Sequence, residues 1–341
     1  MRTLPVTLIT GFLGSGKTTV LNHILQDPAY HDTAVIINEF GEIAIDHLLV
    51  EQSIENTIVL QNGCICCTIR GDLVDTLIDL LKKMHAGLIP SFKRVIIETT
   101  GLASPAPLLQ ALVHDPLINK EFTLNRVVTT IDVVNGKLTL QTYPESVAQL
   151  AAADIVLLTK SDLATEDAVH TISQQIQAIN PTAALRLCPH GQSDPAWLLP
   201  SSPKPSDPPR SDTAFLPHSA HDHTTHEHSD HNHSHFLHEN AITTFTIREK
   251  TPISEHALTQ WLHALLSLRS QALLRVKGLV HVKGQARPVV IQAVQHLVHP
   301  PTQLPSWPDA DQDTRLVFIT RALPESAIRA SLDILLTREQ S

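Results

Sequence analysis

A glycine-rich segment close to the N-terminus restricts the folds that are open to this chain. It reads Gly11-Phe-Leu-Gly-Ser-Gly-Lys-Thr18, which satisfies the pattern G-x-x-x-x-G-K-[S/T] in full. A short apolar run, Val6–Thr10, precedes it, and a segment with helical spacing follows at Lys17–Gln26. Glycines let backbone N–H groups turn inward around an anionic phosphate, and a helix N-terminus adds partial positive charge. The segment therefore predicts a phosphate-binding loop between a strand and a helix.

A loop of this kind gives each of its polar side chains a task. Lys17 is expected to reach the β- and γ-phosphates of a nucleotide and to act in catalysis, and the Thr18 hydroxyl is expected to ligate Mg²⁺. The predicted nucleotide-binding residues of the loop are Gly11, Gly14, Ser15, Gly16, Lys17, Thr18 and Thr19.

The first 190 or so residues alternate short apolar runs with longer segments of helical spacing. The strand-like runs are Val6–Thr10, Ala34–Asn38, Val95–Glu98, Arg126–Asp132 and Asp154–Thr159. Continuous apolar strands that alternate with helices are typical of a parallel sheet covered on both faces. The predicted fold class is an α/β P-loop NTPase domain, with a mostly parallel sheet and helices on both faces, plus a smaller C-terminal α+β domain.

Composition changes after Cys188, where apolar residues become scarce. Residues 189–217 include eight prolines, and residues 218–238 include nine of the 21 histidines. Such composition buries little apolar surface and is typical of a linker. From about Ala241 the predicted order of elements is β-α-β-β-β-α, with one strand over residues 288–298. The predicted parts are a P-loop domain over 1–190, a flexible linker over 191–240 and an α+β domain over 241–341.

Charge and cysteine content exclude several classes of protein. The chain has 34 acidic residues against 25 Lys and Arg, a formal net charge of −9, which argues against a nucleic-acid partner. Four cysteines are too few for a disulfide-stapled secreted scaffold. No run of 18 apolar residues is present, and the apolar N-terminus leads into the phosphate loop rather than a cleavage site. We therefore expect a soluble, cytoplasmic protein without a membrane or nucleic-acid partner.

A second motif predicts which base the nucleotide carries. The strand-like run from Asp154 ends in Thr159-Lys-Ser-Asp162. The Asp162 carboxylate can accept hydrogen bonds from N1–H and N2–H₂ of guanine, a donor pair that adenine lacks, and Lys160 can lie over the base. GTPases usually carry Asn where this chain has Thr159, so some loss of guanine selectivity is expected, although the carboxylate contact discriminates more.

An acidic residue at the end of another strand is a candidate for positioning metal and water. Glu98 follows the run Arg94–Ile97 and precedes Thr-Thr-Gly101. A carboxylate beside the phosphate-loop strand can hold Mg²⁺ or its water. No Gln is evidently placed to orient the attacking water, so Glu98 is also a catalytic candidate. The backbone of Gly101 is expected to approach the γ-phosphate and is assigned to the nucleotide site.

Three of the four cysteines lie within four residues, at Cys64, Cys66 and Cys67. Thiolates bind Zn²⁺ and Cu⁺, and Co²⁺ or Fe²⁺ with less preference, and three of them leave one tetrahedral position open. Such an open site suits a metal in transit; buried structural thiols or a redox pair are the alternatives.

The segment Asn38–Asp46 follows the second predicted strand, which is the position of a nucleotide-sensing switch in P-loop GTPases. Of its acidic residues, Glu39 is favoured as a metal contact, with a solvated loop as the alternative.

The histidine-rich tract is predicted to be an accessory metal collector. Neutral imidazole is a good ligand for Zn²⁺, Ni²⁺, Co²⁺ and Cu²⁺, but ordering a flexible segment costs conformational entropy, so binding should be weak and unselective. A neutral spacer is the alternative. The predicted accessory ligands are His221, His223, His226, His228, His231, His233 and His235, flanked by His218 and His238.

These motifs together resemble the CobW/YjiA family of metal-handling P-loop GTPases. The matching stretches are Gly11–Thr19, Asn38–Asp46, Gly63–Leu73, Glu98–Pro105 and Thr159–Leu163, with Leu274–Gly278, Trp307 and Leu316–Arg321 in the C-terminal region. The resemblance implies GTP hydrolysis coupled to metal delivery, most often of zinc, with the three clustered cysteines as the internal metal site. Besides Thr159, Ala44 departs from the family pattern, where a glycine is common, so altered flexibility of the switch is expected.

The predicted function is that of a GTP-hydrolysing metallochaperone that uses GTP and Mg²⁺ and passes a metal to a client metalloprotein. Zinc is the favoured metal, with Co²⁺, Ni²⁺ or Fe²⁺ as alternatives. One other function is assistance in cobalt insertion during cobalamin synthesis or in activating another metalloenzyme. Another is a metal buffer that acts through the histidines. Lys160 and Asp162 argue against a small-molecule kinase. The oligomeric state is left open, with a homodimer as one option.

Overall fold

The computed structural model describes residues 3–37, 58–61, 69–194, 242–269, 272–295 and 297–340. The chain divides into two compact units, which are Met1–Gln177 with Ala183–Pro205, and Ala178–Thr182 with Ser206–Ser341. Among the described residues, no helix has the length and apolar character needed to cross a membrane. The three-part division over 1–190, 191–240 and 241–341 stays a prediction.

The first unit is built on a seven-stranded sheet in which every pairing between the described strands is parallel. The strand order is β3-β2-β4-β1-β5-β6-β7. The strands are β1 (Leu4–Gly11), β2 (Thr33–Ile37), β3 (Ile58–Gln61), β4 (Arg94–Glu98), β5 (Phe122–Asp132), β6 (Ile155–Thr159) and β7 (Ala184–Cys188).

Helices connect these strands, as the alternating sequence pattern predicts. They are α1 (Lys17–Gln26), α2 (Ile69–His85), α3 (Ala106–His114), α4 (Ile118–Glu121), α5 (Gly136–Thr142), α6 (Pro144–Ala152) and α7 (Glu166–Ile179). Helix α1 has the bounds that the sequence predicts. The helical spacing of the later segment predicts a helix over Ala164–Ile179. Helix α7 begins two residues later, because the Thr165 hydroxyl accepts a hydrogen bond from the Ala168 N–H at 3.3 Å and caps the first turn.

Both faces of the parallel sheet are buried. Val20 and Ile24 of α1 pack in one cluster with Val35 of β2. Side chains alternate across a strand, so Ile36 points to the opposite face, and it is also fully buried. An α/β domain with a parallel sheet is therefore confirmed.

The carboxyl ends of the parallel strands bring distant residues to one edge of the sheet. The register pairs Ile9 with Glu98, Gly11 with Thr130 and Asp132 with Thr159. Strand β1 lies at the centre of the sheet, with β4, β2 and β3 on one side and β5, β6 and β7 on the other. In open parallel sheets ligands bind at this edge, where the order of strands reverses.

The second unit is an antiparallel sheet with two helices, in the strand order β11-β10-β9-β13-β8, with β12 paired to β10. Ser254 caps the first helix of this unit, since its hydroxyl accepts a hydrogen bond from the Ala257 N–H at 3.2 Å. The elements are β8 (Ile242–Glu249), α8 (Glu255–Arg269), β9 (Leu273–Val280), β10 (Val289–Val294), β11 (Leu297–Val298), β12 (Thr302–Gln303), β13 (Thr314–Arg321) and α9 (Glu325–Gln340).

The predicted α+β class of this unit is confirmed, but the prediction of one strand over residues 288–298 is wrong. The chain turns back after Val294, and β11 pairs antiparallel with β10, so that Ala293 lies opposite Val298. Gln295 adopts a left-handed backbone conformation with φ 53° at this turn. The apolar character of both short strands conceals the turn, which lacks the glycine or proline that usually marks one.

Candidate nucleotide site at the carboxyl edge of the parallel sheet

The phosphate loop follows β1 and leads into α1, and its backbone requires glycine at two positions for different reasons. Gly16 has φ 87° where the loop enters the helix, a conformation that other residues rarely adopt. A Cβ atom at Gly11 would lie 2.3 Å from Thr130 Oγ1, so only glycine fits against the end of β5. These constraints explain the glycine pattern of the motif.

Hydrogen bonds from neighbouring strands hold the loop in shape. The Ser15 hydroxyl shares a hydrogen bond with the Thr130 hydroxyl at 2.6 Å, and the Thr159 hydroxyl donates to the Ser15 carbonyl at 2.7 Å. Within the loop, the ammonium of Lys17, a largely buried residue, donates to the Phe12 carbonyl at 3.2 Å. The loop is therefore braced by β5 and β6 and preformed for an anion.

Thr18 and Glu98 meet beside the loop, although 80 residues separate them. The Thr18 hydroxyl donates to Glu98 Oε1 at 2.7 Å, and Glu98 is only 5% exposed at the end of β4. Hydroxyl and carboxylate oxygens are the hard ligands that Mg²⁺ prefers. The two predicted residues therefore form a donor set that fits this ion.

A cavity of about 370 Å³ lies over the loop and joins it to the segment that follows β4. Its lining includes Gly14, Gly16, Lys17, Thr18, Thr19, Glu98, Gly101 and Lys160. The structure thus brings most of the predicted phosphate-site residues around one space. Gly11 and Ser15 support the loop through Thr130 instead of lining this cavity.

A second cavity of about 270 Å³ lies at the carboxyl ends of β6 and β7. It is lined by Gly16, Thr19, Thr159, Lys160, Asp162, His190 and Gly191, so the predicted base-reading residues share a space with the end of the phosphate loop. The Asp162 carboxylate accepts the backbone N–H of His190 at 2.9 Å, and this hydrogen bond holds the pKa of Asp162 below its usual range. The carboxylate is therefore kept ionised and able to accept hydrogen bonds from a base.

Lys160 is anchored by a residue of the neighbouring strand. Its ammonium donates to Asp132 Oδ2 at 2.7 Å, and the same oxygen accepts from the Asn135 amide at 2.9 Å. Burial would raise the pKa of Asp132, but the hydrogen bonds from Lys160, from Asn135 and from the Val134 N–H outweigh it and lower the pKa. The carboxylate thus fixes the aliphatic stem of Lys160 next to the base cavity.

Family profiles match both units. The profile described as "CobW/HypB/UreG, nucleotide-binding domain" matches residues 5–186. The chain belongs to the CobW family. A second profile, "Cobalamin synthesis protein cobW C-terminal domain", matches residues 242–336, and the predicted family resemblance is confirmed.

Individual relatives of this CobW-family chain agree with the profiles. It is 31% identical over 331 residues to "Zinc chaperone YjiA" of Escherichia coli, covering 97% of this chain and 98% of the relative. It is 33% identical over 213 residues to "Zinc chaperone CobW" of Pseudomonas aeruginosa, covering 53% and 55% of the two chains. It is 32% identical over 198 residues to "Zinc-regulated GTPase metalloprotein activator 1" of Schizosaccharomyces pombe, covering 56% and 47%.

The fold also matches a solved structure. The crystal structure of Zn(II)-bound YjiA GTPase from E. coli superposes with a TM-score of 0.71 at 29% identity, and the match covers 98% of this chain and 99% of that one. The similarity therefore extends over both units of this CobW-family chain.

Several residues that shape the nucleotide site of this CobW-family protein escape sequence reasoning. Asp132 could have been found from the sequence, because it is an acidic residue at the end of a predicted strand. No sequence pattern points to Thr130, Gln149 or His190, since each of them acts through a partner at least 28 residues away. Thr159 stands where GTPases usually carry Asn, and its role is one that the motif does not reveal. Its hydroxyl donates to the Ser15 carbonyl and so supports the phosphate loop.

The predicted ligands of the transition metal lie outside the described residues. This holds for Glu39, for Cys64, Cys66 and Cys67, and for the histidines at 221, 223, 226, 228, 231, 233 and 235. Within the part of the chain that the structure describes, no group of three or more His, Cys, Asp and Glu side chains is arranged to hold a metal ion. The zinc site of this CobW-family chain stays a prediction.

Proposed function

We propose that this chain is a GTP-hydrolysing metallochaperone that binds Zn²⁺ and transfers it to a client metalloprotein. The observation that carries the proposal is the similarity to the zinc chaperone YjiA, 31% identical over 97% of this chain, with a TM-score of 0.71 to the Zn(II)-bound YjiA GTPase. That similarity spans the nucleotide-binding unit and the second unit alike. The preformed phosphate loop and the base cavity supply the chemistry that GTP binding needs.

The proposed phosphate chemistry rests on Lys17, Thr18 and Glu98. Lys17 leaves the Phe12 carbonyl to contact the β- and γ-phosphates, while the backbone of the loop donates to their oxygens. Thr18 and Glu98 would hold Mg²⁺, which neutralises charge on the phosphates when it is bound. The Glu98 carboxylate orients the attacking water, and Gly101 contributes its backbone near the γ-phosphate.

Guanine recognition is assigned to Asp162 and Lys160. Asp162 is ionised and accepts from the N1–H and N2–H₂ donors of the base, while the stem of Lys160, anchored by Asp132, covers its face. The Thr159 hydroxyl is engaged with the loop and is not assigned to the base. Selectivity for guanine therefore depends mainly on the carboxylate.

The metal is assigned to Cys64, Cys66 and Cys67, with Glu39 as a further contact and the histidine tract as an accessory collector. Three thiolates with an open fourth position suit Zn²⁺ that must later be released, and Co²⁺, Ni²⁺ and Fe²⁺ are the alternative cargoes. GTP ordering the switch segment would strengthen the site, and hydrolysis would weaken it. By linkage, the metal must then strengthen GTP binding by the same factor.

The client is proposed to be a metal-dependent enzyme. A relative from S. pombe is called a zinc-regulated GTPase metalloprotein activator, which favours activation of an enzyme over simple storage.

We propose that the chain has three parts: a nucleotide domain over residues 1–190, a linker over 191–240 and a C-terminal domain over 241–341. The cytoplasmic location and a homodimer stay predictions.

The test is the Zn²⁺ affinity of the purified protein with and without a non-hydrolysable GTP analogue. Wild type is expected to bind Zn²⁺ about 5- to 150-fold more tightly with the analogue, the usual range of such coupling. A variant with Cys64, Cys66 and Cys67 changed to Ser should lose this gain but keep its GTPase activity. A variant lacking residues 218–238 serves as the control and should keep the gain. Equal affinities in wild type would refute the coupling, and loss of all Zn²⁺ binding in the control would favour the buffer function.

A further inference from the structure

Gln149 on α6 ties that helix to the segment that follows β4. Its side chain is fully buried, and Nε2 donates to the Gly101 carbonyl at 3.0 Å and to the Ala103 carbonyl at 3.1 Å. Its backbone carbonyl in turn accepts the Thr129 hydroxyl at 2.9 Å. This one buried residue thus connects α6 with β5 and with the segment that follows β4.

The amide can take only one orientation in this position. If it were flipped, Oε1 would face two carbonyl oxygens, and none of the three atoms could donate. Oε1 of Gln149 accepts no hydrogen bond from the described residues. The stabilisation from the two hydrogen bonds to the carbonyls is therefore larger than the free-energy cost of burying Oε1 without such a partner.

Gly101 is confined on its other side by the phosphate loop. A Cβ atom on Gly101 would lie 2.6 Å from the Leu13 nitrogen and 2.7 Å from the Leu13 Cα. The loop is also joined to the start of α6, since the rings of Phe12 and Tyr143 stack with their centroids 4.4 Å apart. Gly101 is therefore held between Leu13 and Gln149, with little freedom to shift.

These contacts set the direction of a peptide group that lines the cavity over the phosphate loop. Gly101 and Leu102 both line the phosphate cavity, together with Lys17 and Glu98. In a trans peptide the N–H points away from the C=O, so fixing the Gly101 carbonyl on Gln149 also fixes the Leu102 N–H on the opposite side. The amide of Gln149 thereby orients backbone donors that it does not touch.

We propose that Gln149 is the positioning residue that holds the Gly101–Leu102 peptide group in the orientation needed to recognise a γ-phosphate. The proposal rests on the proposed function as a GTPase and concerns the same site. Gln149 is not among the residues that line the cavity over the phosphate loop, and it acts through the carbonyls of Gly101 and Ala103. GDP lacks the γ-phosphate, so its binding is independent of this peptide group.

The test compares GDP with a non-hydrolysable GTP analogue in the full-length chain with Mg²⁺. Gln149→Met keeps the length of the side chain and removes both donors. Its affinity for the analogue is expected to fall about tenfold, as for the loss of two hydrogen bonds of ordinary strength. Its affinity for GDP should stay within about twofold, and kcat for GTP should fall. Gln149→Glu keeps the shape of the side chain and places a carboxylate against the two carbonyls. Its affinity for the analogue should therefore fall further than that of Gln149→Met.

The matched control is Gln174→Met, which removes an exposed amide on α7 and should change neither affinity. If Gln149→Met fails to fold, Gln149→Asn carries the comparison, because it is uncharged and its shorter amide cannot reach both carbonyls. Equal losses for GDP and the analogue, or no loss for either, would overturn the positioning role and leave Gln149 a packing residue. Wild-type protein that binds neither nucleotide would instead overturn the proposed function.

Discussion

Replacing Thr159 by Val removes one hydroxyl from beneath the phosphate loop and leaves the shape of the side chain almost unchanged. Thr159 is 2% exposed, and its Oγ1 lies 2.7 Å from the Ser15 carbonyl and 3.2 Å from the Ile131 carbonyl. The variant creates no cavity, because valine and threonine have the same heavy-atom outline. Its effect therefore isolates the hydrogen bond between β6 and the loop.

The size of the effect follows from the burial of these groups. Removing one partner of a buried hydrogen bond costs about 1–3 kcal/mol, since the other partner loses its compensation for desolvation. For a unit of this size each kcal/mol corresponds to roughly 2–4 °C in Tm, so the expected decrease is roughly 2–12 °C. Affinities for GDP and GTP should fall together, because the loop serves both nucleotides.

Thermal unfolding followed by circular dichroism measures the stability, and hydrogen exchange measures the protection of the loop itself. Peptides that cover residues 11–19 should exchange faster in Thr159→Val than in wild type. The control is Thr171→Val on the exposed face of α7, which should leave both measurements unchanged. An unchanged Tm together with unchanged exchange at the loop would show that Thr159 does not brace it, and the reasoning would fail.

Three further predictions concern single residues. The lowered pKa of Asp132 means that its carboxylate stabilises the fold above about pH 4, the usual value in an unfolded chain, and that this stability is lost as the pH falls through the folded-state pKa. Asp132→Asn should therefore reduce the loss of stability to urea that wild type shows as the pH falls below about 5, and should weaken GDP and GTP binding equally; an unchanged pH profile would contradict this. Burial raises the pKa of Cys188 to about 11, so iodoacetamide at pH 8 should leave its peptide unmodified in the folded protein, and modification without denaturant would refute its burial. Gly278→Ala would place a Cβ 1.9 Å from the Arg315 carbonyl, so a loss of more than about 2 kcal/mol in urea unfolding is expected, and a loss below ~0.5 kcal/mol would contradict the close approach of β9 and β13.

The parts of the fold that could be predicted are those that depend on neighbours in the sequence. Helix α1 begins at Lys17 and ends at Gln26 as expected, since the loop glycines end the strand and the apolar spacing defines the helix. The β10–β11 hairpin could not be predicted, because its turn at Gln295 carries none of the usual turn residues. The local sequence pattern therefore predicts the positions of the elements, and the prediction fails where a turn lacks the residue types that usually mark one.

The sequence alone determined the chemistry on offer at the nucleotide site. The spacing of Gly11, Gly16 and Lys17 specifies a loop that can surround a phosphate, whatever lies around it, because backbone N–H groups and one ammonium do the binding. The sequence also predicts Glu98 and Asp162, which lie at or just after the end of a strand, as partners for Mg²⁺ and for a base. Each of these predictions needs only the residue and its immediate neighbours.

The tertiary structure alone decided which residues hold that chemistry in place. Lys160 and Asp132 are 28 residues apart, and Gly101 and Gln149 are 48 apart, so no local pattern connects either pair. They meet because parallel strands end at one edge of the sheet and because α6 packs beneath the segment after β4. Orienting a charged or polar group takes a partner on another element, and the partner's identity depends on the packing of the whole domain.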